Sequence, residues 1–335
     1  MARRAVLLLA HGTPETVEQI PEYLRNVVSG RPLPQAVVEE IQHRYSLIGK
    51  SPLTEITMAQ ARLVEAELAA CGDAIPVYVG MRNWRPYIPE VVRQMRTDGV
   101  EEAAVICMAP QNSRTSVGLY RRAVEAEAAG LRIDFTEGWA RHPLLADAFA
   151  ERLRPALAKL MAEVGEPVPV LFTAHSVPTR TVEAAGQQVS NASHSSGKEK
   201  SVMEGRAVWP GQGSDPYAEE ARHTAELVAE RVKEIPQWWF AFQSQGASGG
   251  PWLGPSVEET LDKIAGEGVK ALVLQPIGFL CDHVEILYDV DRLFREYAAK
   301  RGVRLERPES LNASVKLAKA VAELAQEGLK RLDAN

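Results

Sequence analysis

Residues 168–178 read VPVLFTAHSVP, a nearly continuous apolar run that ends in a histidine, a serine and a proline. A strand exposed on one face alternates apolar and polar side chains, whereas a run without alternation is typical of a strand buried on both faces of a parallel sheet. In an open α/β sheet, ligands bind at the carboxyl ends of the strands. The segment therefore predicts a parallel α/β fold and places His175 where a functional side chain is expected.

Similar runs recur along the chain and alternate with helical patterns. They lie at 5–10, 77–81, 103–110, 133–136, 239–243, 271–279 and 303–306. Between the first two, Glu55–Leu68 has the period of a helix whose apolar face carries Ile56, Ala59, Leu63 and Ala66. Strand and helix alternate in the manner of a doubly wound sheet. A (β/α)8 barrel also alternates, but the long gaps at 11–76 and 175–238 are too uneven for one.

Two short segments suggest that the chain consists of two similar halves. AHGTP at 10–14 resembles AHSVP at 174–178, and each follows the first strand of its half. Chance could produce matches this short, and that alternative stays open. We predict a first domain over 1–158 and a second over 159–310. The second contains an insertion, 186–214, whose polar composition predicts a long loop.

Composition excludes several classes of protein. The 335 residues are 45% apolar and 24% charged, with a net charge of −6 and mixed signs, which argues against nucleic acid as a partner. The three cysteines, Cys71, Cys107 and Cys281, have no CxxC spacing, so no thiolate metal site or disulfide framework is indicated. No segment has the length of a membrane span. We expect a cytoplasmic protein with at most peripheral membrane contact.

Three groups of side chains are candidates for chemistry. His175 ends a strand, although it could instead be hydrogen-bonded to a loop carbonyl. Asp282, Glu285 and Asp289 have the spacing i, i+3, i+7 and are expected on one face of a helix, where crowded carboxylates become proton carriers or ligands of hard metals. A helix-capping box explains the first two equally well. His11 follows the first strand, and its alternative is a turn histidine packed on the next helix.

Ten short motifs together resemble one family, the ferrochelatases, over almost the whole chain. Downstream they are AHSVP at 174–178, DPY at 215–217, QS at 243–244, PWLGP at 251–255 and DHVEILYD at 282–289. Upstream they are GTP at 12–14, RY at 44–45, IG at 48–49, SPL at 51–53 and YVGMR at 78–82. The resemblance implies a lyase of heme biosynthesis that inserts Fe²⁺ into a porphyrin. It also implies two Rossmann-like, chelatase-type domains with the porphyrin in the cleft between them, and a C-terminal helix, 311–335, that packs back on the first domain.

The resemblance also assigns site residues. His175 matches the family's essential histidine and Glu285 its partner carboxylate, so both are expected to act in catalysis and to contact the metal. Positions that line the porphyrin in some members are matched by Arg44, Tyr45, Ser51 and Tyr120, and His11 is expected to face the ligand from the first domain. A neutral imidazole can accept a pyrrole proton at cellular pH. Asp289 could then pass the proton to solvent or help to conduct the cation inward.

The chain departs from the family pattern at several positions that bear on the substrate. Relatives often carry Tyr or Met at position 11, and Val28 and Ser29 replace basic residues expected in coproporphyrin-type enzymes. The polar segment 26–50 nevertheless resembles the coproporphyrin type. We expect coproporphyrin III as the substrate, with protoporphyrin IX as the close alternative. Without a cysteine-rich extension, no iron–sulfur cluster is expected, and no cofactor beyond the Fe²⁺ substrate.

Two other classes of function stay open at this stage. A non-catalytic tetrapyrrole or metal carrier on the same fold would need the cleft but no proton relay. A metal-dependent hydrolase would also use histidines and carboxylates, but we expect neither a His-x-x-x-His nor a His-x-Glu ligand set. A protein that donates the porphyrin or accepts the heme is a possible partner.

Overall fold

The computed structural model describes residues 2–182, 215–245 and 251–334, and in these segments the chain forms two four-stranded parallel sheets. The first sheet contains β1 (Arg4–Ala10), β2 (Val77–Met81), β3 (Glu102–Cys107) and β4 (Arg132–Thr136) in the order β2-β1-β3-β4. The second contains β5 (Val170–His175), β6 (Trp238–Gln243), β7 (Ala271–Pro276) and β8 (Arg304–Glu306) in the equivalent order β6-β5-β7-β8. The predicted α/β fold with two parallel sheets is confirmed.

Two strands end earlier than the apolar runs that predicted them. The run at 103–110 gives a strand that stops at Cys107, and the run at 271–279 gives one that stops at Pro276. Both runs contain a proline, which cannot donate a hydrogen bond to a neighbouring strand. Beyond these points the apolar residues pack in loops, so their burial does not mark strand structure.

Helices cover the faces of both sheets. Before β5 they are α1 (Ile20–Val27), α2 (Gln35–Ile48), α3 (Leu53–Ala70), α4 (Ile88–Thr97), α5 (Val117–Glu125) and α6 (Pro143–Val164). After β5 they are α7 (Thr179–Val182), α8 (Tyr217–Arg231), α9 (Val257–Gly266), a π-helix (Glu285–Phe294), α10 (Arg295–Ala299) and α11 (Val315–Ala334). None of the helices in the described part of the chain combines the length and apolar character needed to cross a membrane.

The buried face of α3 is not the one predicted. Ile56, Ala59 and Leu63 are only partly buried and Ala66 is exposed. The fully buried positions include Leu53, Thr57, Gln60, Ala61, Val64 and Leu68. This helix carries apolar residues around most of its circumference, and α11, which packs against it, decides which face is covered.

The C-terminal helix α11 lies on the first sheet. It contacts α3, β3, β4 and α6, and Arg331 pairs with Asp134 on β4 at 2.7 Å. Helix α6 runs from the first sheet toward the second and ends at Gly165, which adopts a left-handed conformation with φ +77°. The predicted boundary at 158/159 falls inside this helix. The predicted insertion 186–214 lies outside the described residues.

Candidate active site

The carboxyl ends of β1 and β5 bring a histidine from each half of the chain to the space between the two sheets. His175 is the last residue of β5, and its Nε2 lies 3.5 Å from Oε1 of Glu285, the first residue of the π-helix. Both side chains are 32% exposed, so the pair is open to a ligand. Tyr217 on α8 donates a hydrogen bond of 2.9 Å to the carbonyl oxygen of His175 and thereby fixes the end of the strand.

The two members of this pair shift each other's pKa. Burial lowers the pKa of His175, but the charge of Glu285 and the hydrogen bond with it outweigh burial, and the pKa lies above its ordinary value. For Glu285, burial raises the pKa, but His175 and His283 outweigh it and hold the pKa well below the usual range. A carboxylate and an imidazole that stabilise each other's charged form therefore lie side by side at the end of β5.

A third ionisable residue, His283, joins the pair, and it was missing from the predicted set. Its Nε2 lies 3.7 Å from Oε2 of Glu285, and its ring packs against Phe279 with centroids 4.4 Å apart. The buried Nδ1 of His283 and Oε2 of Glu285 have no hydrogen-bond partner among the described residues. The expectation that the chain has no His-x-Glu set is therefore wrong, and this spacing at 283–285 is the signal that could have identified His283, since both side chains can serve one metal or proton.

The carboxylate row predicted for one helical face is wrong for its first member. Asp282 precedes the helix, and Glu285 is at the start of a π-helix rather than in the third position of an α-helix. Asp282 accepts hydrogen bonds from Arg307 (3.0 Å) and Ser310 (2.7 Å). Asp282 is therefore neither a helix cap nor part of a carboxylate row, because it pairs with the cation of Arg307 in the neighbouring loop.

Asp289, one turn along the π-helix, is buried and bound from both halves of the chain. Its Oδ2 accepts a hydrogen bond of 2.6 Å from Ser244, and its Oδ1 lies 3.2 Å from Nη1 of Arg44 on α2. Burial raises the pKa of Asp289, and the charge of Glu285 adds to that rise, while Ser244 and Arg44 oppose it. Arg44 also lies over the ring of Tyr288, 5.0 Å from its centroid. The contact joins the first domain directly to the helix that carries Glu285.

His11 faces the same space from the first domain. Its Nε2 lies 2.8 Å from the hydroxyl of Tyr23, and Nδ2 of Asn83 lies 3.2 Å from the ring nitrogens. Burial lowers its pKa to about 4, although the charge of Glu285 opposes the decrease. Val284, the residue before Glu285, packs against the cluster that contains Tyr23, the hydrogen-bond partner of His11, so His11 lies near the pair in the second domain. The ring therefore packs on α1, the helix that follows, through Tyr23, as the alternative interpretation of His11 predicted.

The other predicted porphyrin-contacting residues are buried. Tyr45 is 0% exposed in a cluster with Ile20, Tyr23 and Trp84, and its hydroxyl has no hydrogen-bond partner among the described residues. The hydroxyl of Ser51, a residue 5% exposed, is likewise unpartnered in this part of the chain. Tyr120, 4% exposed, packs on the other face of the first sheet. Burial raises the pKa of both tyrosines.

The described residues contain no group of three or more His, Cys, Asp or Glu side chains arranged to hold a metal ion. His175 and Glu285, predicted to contact the metal, form a pair with His283 beside it.

Comparison with known proteins gives consistent results. A family model described as ferrochelatase matches residues 3–329. A ferrochelatase from Acidobacterium capsulatum is 57% identical over 334 residues, which cover 99% of this chain and 97% of that protein. A coproporphyrin III ferrochelatase from Mycolicibacterium vanbaalenii is 32% identical over 334 residues, which cover 98% of this chain and 90% of that protein. The sirohydrochlorin chelatase SirB from Bacillus subtilis, solved with cobalt, has a similar fold with a TM-score of 0.55. The two sequences are 10% identical, and the match covers 99% of this chain and 98% of that protein.

Proposed function

The chain belongs to the ferrochelatase family of lyases, which insert Fe²⁺ into a porphyrin in heme biosynthesis, and we propose that His175 and Glu285 perform the insertion. The observation that carries this proposal is the 3.5 Å contact between His175 Nε2 and Glu285 Oε1, with both side chains partly exposed between the two sheets. An imidazole and a carboxylate can accept protons and can also bind a divalent cation.

The reaction exchanges two pyrrole protons for one Fe²⁺, so the site must remove two protons from the porphyrin nitrogens. His175 can accept one of these protons while its imidazole is neutral, and Glu285 stabilises the imidazolium that forms. The partly exposed imidazolium then releases this proton to solvent, and a nearby Fe²⁺ favours the release because it repels the imidazolium charge. Glu285 then balances the charge of the metal until the macrocycle takes it. His175 thereby couples metal entry to proton removal.

Asp289 is the second proton acceptor in this proposal. It is one helical turn from Glu285 and has a raised pKa, which brings a buried carboxylate closer to the range in which it binds a proton at cellular pH. Ser244 and Arg44 hold its two oxygens, and Arg44 is only partly buried. A proton that reaches Asp289 can therefore pass to solvent along the side of Arg44.

The hydroxyl groups of Tyr45 and Ser51 support a polar ligand at the first domain. The two buried hydroxyls lie close to each other, since Ser51 opposes the rise in the pKa of Tyr45 through a hydrogen-bonding contact, but neither forms a hydrogen bond of good geometry with a described residue. An unpaired buried hydroxyl costs free energy that a ligand can recover. A carboxylate of the porphyrin can accept a hydrogen bond from each. In this proposal His11 contacts the macrocycle from the same domain, whereas Tyr120, predicted to do so, is buried in the core on the other face of the first sheet. No cofactor is required in addition to the Fe²⁺ and porphyrin substrates.

We propose coproporphyrin III as the preferred porphyrin, with protoporphyrin IX as the alternative. A relative 32% identical over nearly the whole chain is named a coproporphyrin III ferrochelatase, whereas the relative at 57% identity is named simply a ferrochelatase. Arg44 provides a partly exposed cation near the site, and coproporphyrin III has four carboxylates to bind, two more than protoporphyrin IX.

An anaerobic assay with Fe²⁺ and each porphyrin tests this function by comparing kcat/KM values for the two. We expect turnover with both and a higher kcat/KM for coproporphyrin III. The matched control is His175→Ala, which should bind porphyrin without metallating it. Tight porphyrin binding with no acceleration of metallation over the free porphyrin would contradict the proposal and indicate a tetrapyrrole carrier.

A further inference from the structure

The carbonyl oxygen of His175 lies beyond the end of the strand that could have paired with it. Thr173, two residues earlier on β5, accepts a hydrogen bond of 2.8 Å from the backbone N–H of Ile277, just after β7. Backbone groups two residues apart in a strand point to the same side, so the carbonyl of His175 also points to the side on which β7 has already ended at Pro276. A backbone carbonyl in a folded protein needs a donor, and the hydroxyl of Tyr217 provides one at 2.9 Å.

Tyr217 reaches that carbonyl from the start of α8. It is the first residue of the helix, it is 7% exposed, and its ring packs in the apolar core that contains residues of both sheets. A tyrosine has only two rotatable side-chain bonds, and close packing restricts both. The place of the hydroxyl is therefore set by the backbone at the start of α8.

Asp215 joins the start of α8 to the first domain. Its Oδ1 accepts a hydrogen bond of 3.1 Å from the backbone N–H of Tyr217, as a helix-capping carboxylate does. Its Oδ2 accepts one of 3.2 Å from the backbone N–H of Arg114, in the loop between β3 and α5, and lies 3.9 Å from Nε of the same arginine. The side chain of Asp215 is 0% exposed, so both bonds are shielded from water. A cap needs only one oxygen, and the second oxygen forms a separate link between the domains.

Two further contacts hold the same loop against α8. The backbone N–H of Asn112 donates to Oε2 of Glu220 at 2.7 Å. Nε2 of Gln111, a residue 2% exposed, lies 3.3 Å from Oγ1 of Thr224 and 3.3 Å from the carbonyl oxygen of Ile277. The loop of the first domain therefore contacts successive turns of α8 and the segment that follows β7.

We propose that Asp215 and Tyr217 are positioning residues for His175, and that through them the first domain sets the place of its imidazole. This inference rests on the proposed function, in which His175 accepts a pyrrole proton. In that proposal the macrocycle contacts residues of the first domain, whereas His175 belongs to the second. The two bonds fix the proton acceptor with respect to the domain that binds the substrate. Such a link matters because a displacement of about 1 Å at a catalytic group can lower the rate about a hundredfold.

Tyr217→Phe and Asp215→Asn test the inference in the full-length protein. The first keeps the packed ring and removes only the hydroxyl. The second replaces two acceptor oxygens with one, so one of the two backbone N–H groups loses its acceptor. Each variant should lower kcat about tenfold. The KM for Fe²⁺ and the dissociation constant for metal-free coproporphyrin III should change less than about twofold. The double variant should also lose about tenfold rather than about a hundredfold, because both residues act through one carbonyl.

NMR of the protein with ¹⁵N-labelled histidine provides a readout that a merely structural role would not move. The ring signals of His175 are those that disappear in His175→Ala. We expect Tyr217→Phe and Asp215→Asn to shift these signals and to leave those of His43, on the exposed side of α2, unchanged. Tyr217→Phe tests the inference by itself if Asp215→Asn fails to fold.

The matched controls are Tyr297→Phe and Asp147→Asn. Tyr297→Phe removes a hydroxyl that donates to Asp262 at 3.0 Å on the surface. Asp147→Asn weakens the pairing of α6 with Arg231 at the other end of α8. Neither control should lower kcat more than about twofold, because both contacts are largely exposed.

Three results would overturn the inference. They are losses of kcat in the controls equal to those in Tyr217→Phe and Asp215→Asn, ring signals of His175 that do not move, and a multiplied loss in the double variant. Failure of the proposed function is a different result. Shifted signals of His175 with an unchanged kcat would uphold its positioning by Tyr217 and contradict its role as the proton acceptor.

Discussion

Arg307 binds Asp291 through two parallel hydrogen bonds, with Nε 2.7 Å from Oδ1 and Nη2 2.7 Å from Oδ2. The same guanidinium donates through Nη1 to Asp282 at 3.0 Å. Asp282 and Asp291 lie on either side of the segment that carries His283, Glu285 and Asp289. A single largely buried arginine, whose side chain is 10% exposed, therefore fixes both ends of the segment that faces His175.

Replacing Arg307 with Met should destabilise the protein and lower kcat. It leaves two partly buried carboxylates without their cation, a change that typically costs about 3–5 kcal/mol. We expect a decrease of that size in the free energy of unfolding from urea titration. Arg295→Met is the control, because Arg295 approaches the same Asp291 from solvent at 3.8 Å and is 49% exposed. Arg295→Met should lower the free energy of unfolding by less than about 1 kcal/mol. Equal costs for the two variants would contradict a fixing role for Arg307.

Replacing His175 with Ala should abolish metallation and leave porphyrin binding intact. The side chain is at the end of β5 and partly exposed, so its removal disturbs little packing while it removes the proton acceptor beside Glu285. We expect kcat to fall at least about a hundredfold, the size of effect that a positioned general base supplies. The dissociation constant for metal-free porphyrin should change less than about threefold. His43→Ala on the exposed side of α2 provides the control, and retention of a tenth of the wild-type kcat would exclude an essential role for His175.

Replacing Glu285 with Gln should move the acidic limb of the pH profile to lower pH. In the wild type, Glu285 raises the pKa of His175, so activity falls as the pH decreases through that raised value and the imidazole becomes protonated. Without the charge of Glu285, burial dominates and the pKa of His175 falls. The maximal kcat should also decrease, since in the proposed function Glu285 balances the charge of the metal. The measurement is kcat/KM between about pH 6 and pH 9, with Glu296→Gln on α10 as the control. An unmoved limb would mean that Glu285 does not act on His175.

The strands could be predicted from the sequence because the signals that form them are local. Apolar runs identified the strands, without alternation in the inner strands but with alternating apolar and polar residues in β4 (RIDFT) and β8 (RLE). AHGTP and AHSVP marked the equivalent ends of β1 and β5. The geometry around Glu285 could not be predicted in this way. A π-helix has the composition of an α-helix, and the wider turn depends on packing against distant residues rather than on local preference. The role of Asp282 likewise depends on Arg307, which is remote in sequence and adjacent only in the fold.

The surroundings of His11 could not be predicted from the sequence either. Its position at the end of β1 was predictable, but its hydrogen bonds to Tyr23 and Asn83 come from segments that only the fold brings together. These neighbours and the surrounding cluster bury the ring and lower its pKa to about 4. The sequence alone gives an ordinary histidine with a pKa near the reference value of about 6.5. The difference between the two values has a measurable consequence for stability.

His11 should make the protein less stable in mild acid. Below about pH 6.5 the unfolded chain binds a proton at this residue, whereas the folded protein does not until the pH approaches 4, so the free energy of unfolding decreases as the pH falls through this window. His11→Gln keeps a hydrogen-bonding side chain for Tyr23 and Asn83 but removes the titration. We therefore expect the loss of stability between about pH 7.5 and pH 5 to be smaller in His11→Gln, by at most about 2 kcal/mol. Urea unfolding at the two pH values measures it, with His43→Gln as the control. Equal losses in wild type and His11→Gln would show that His11 is protonated in the folded protein, and that the ring is open to solvent rather than enclosed.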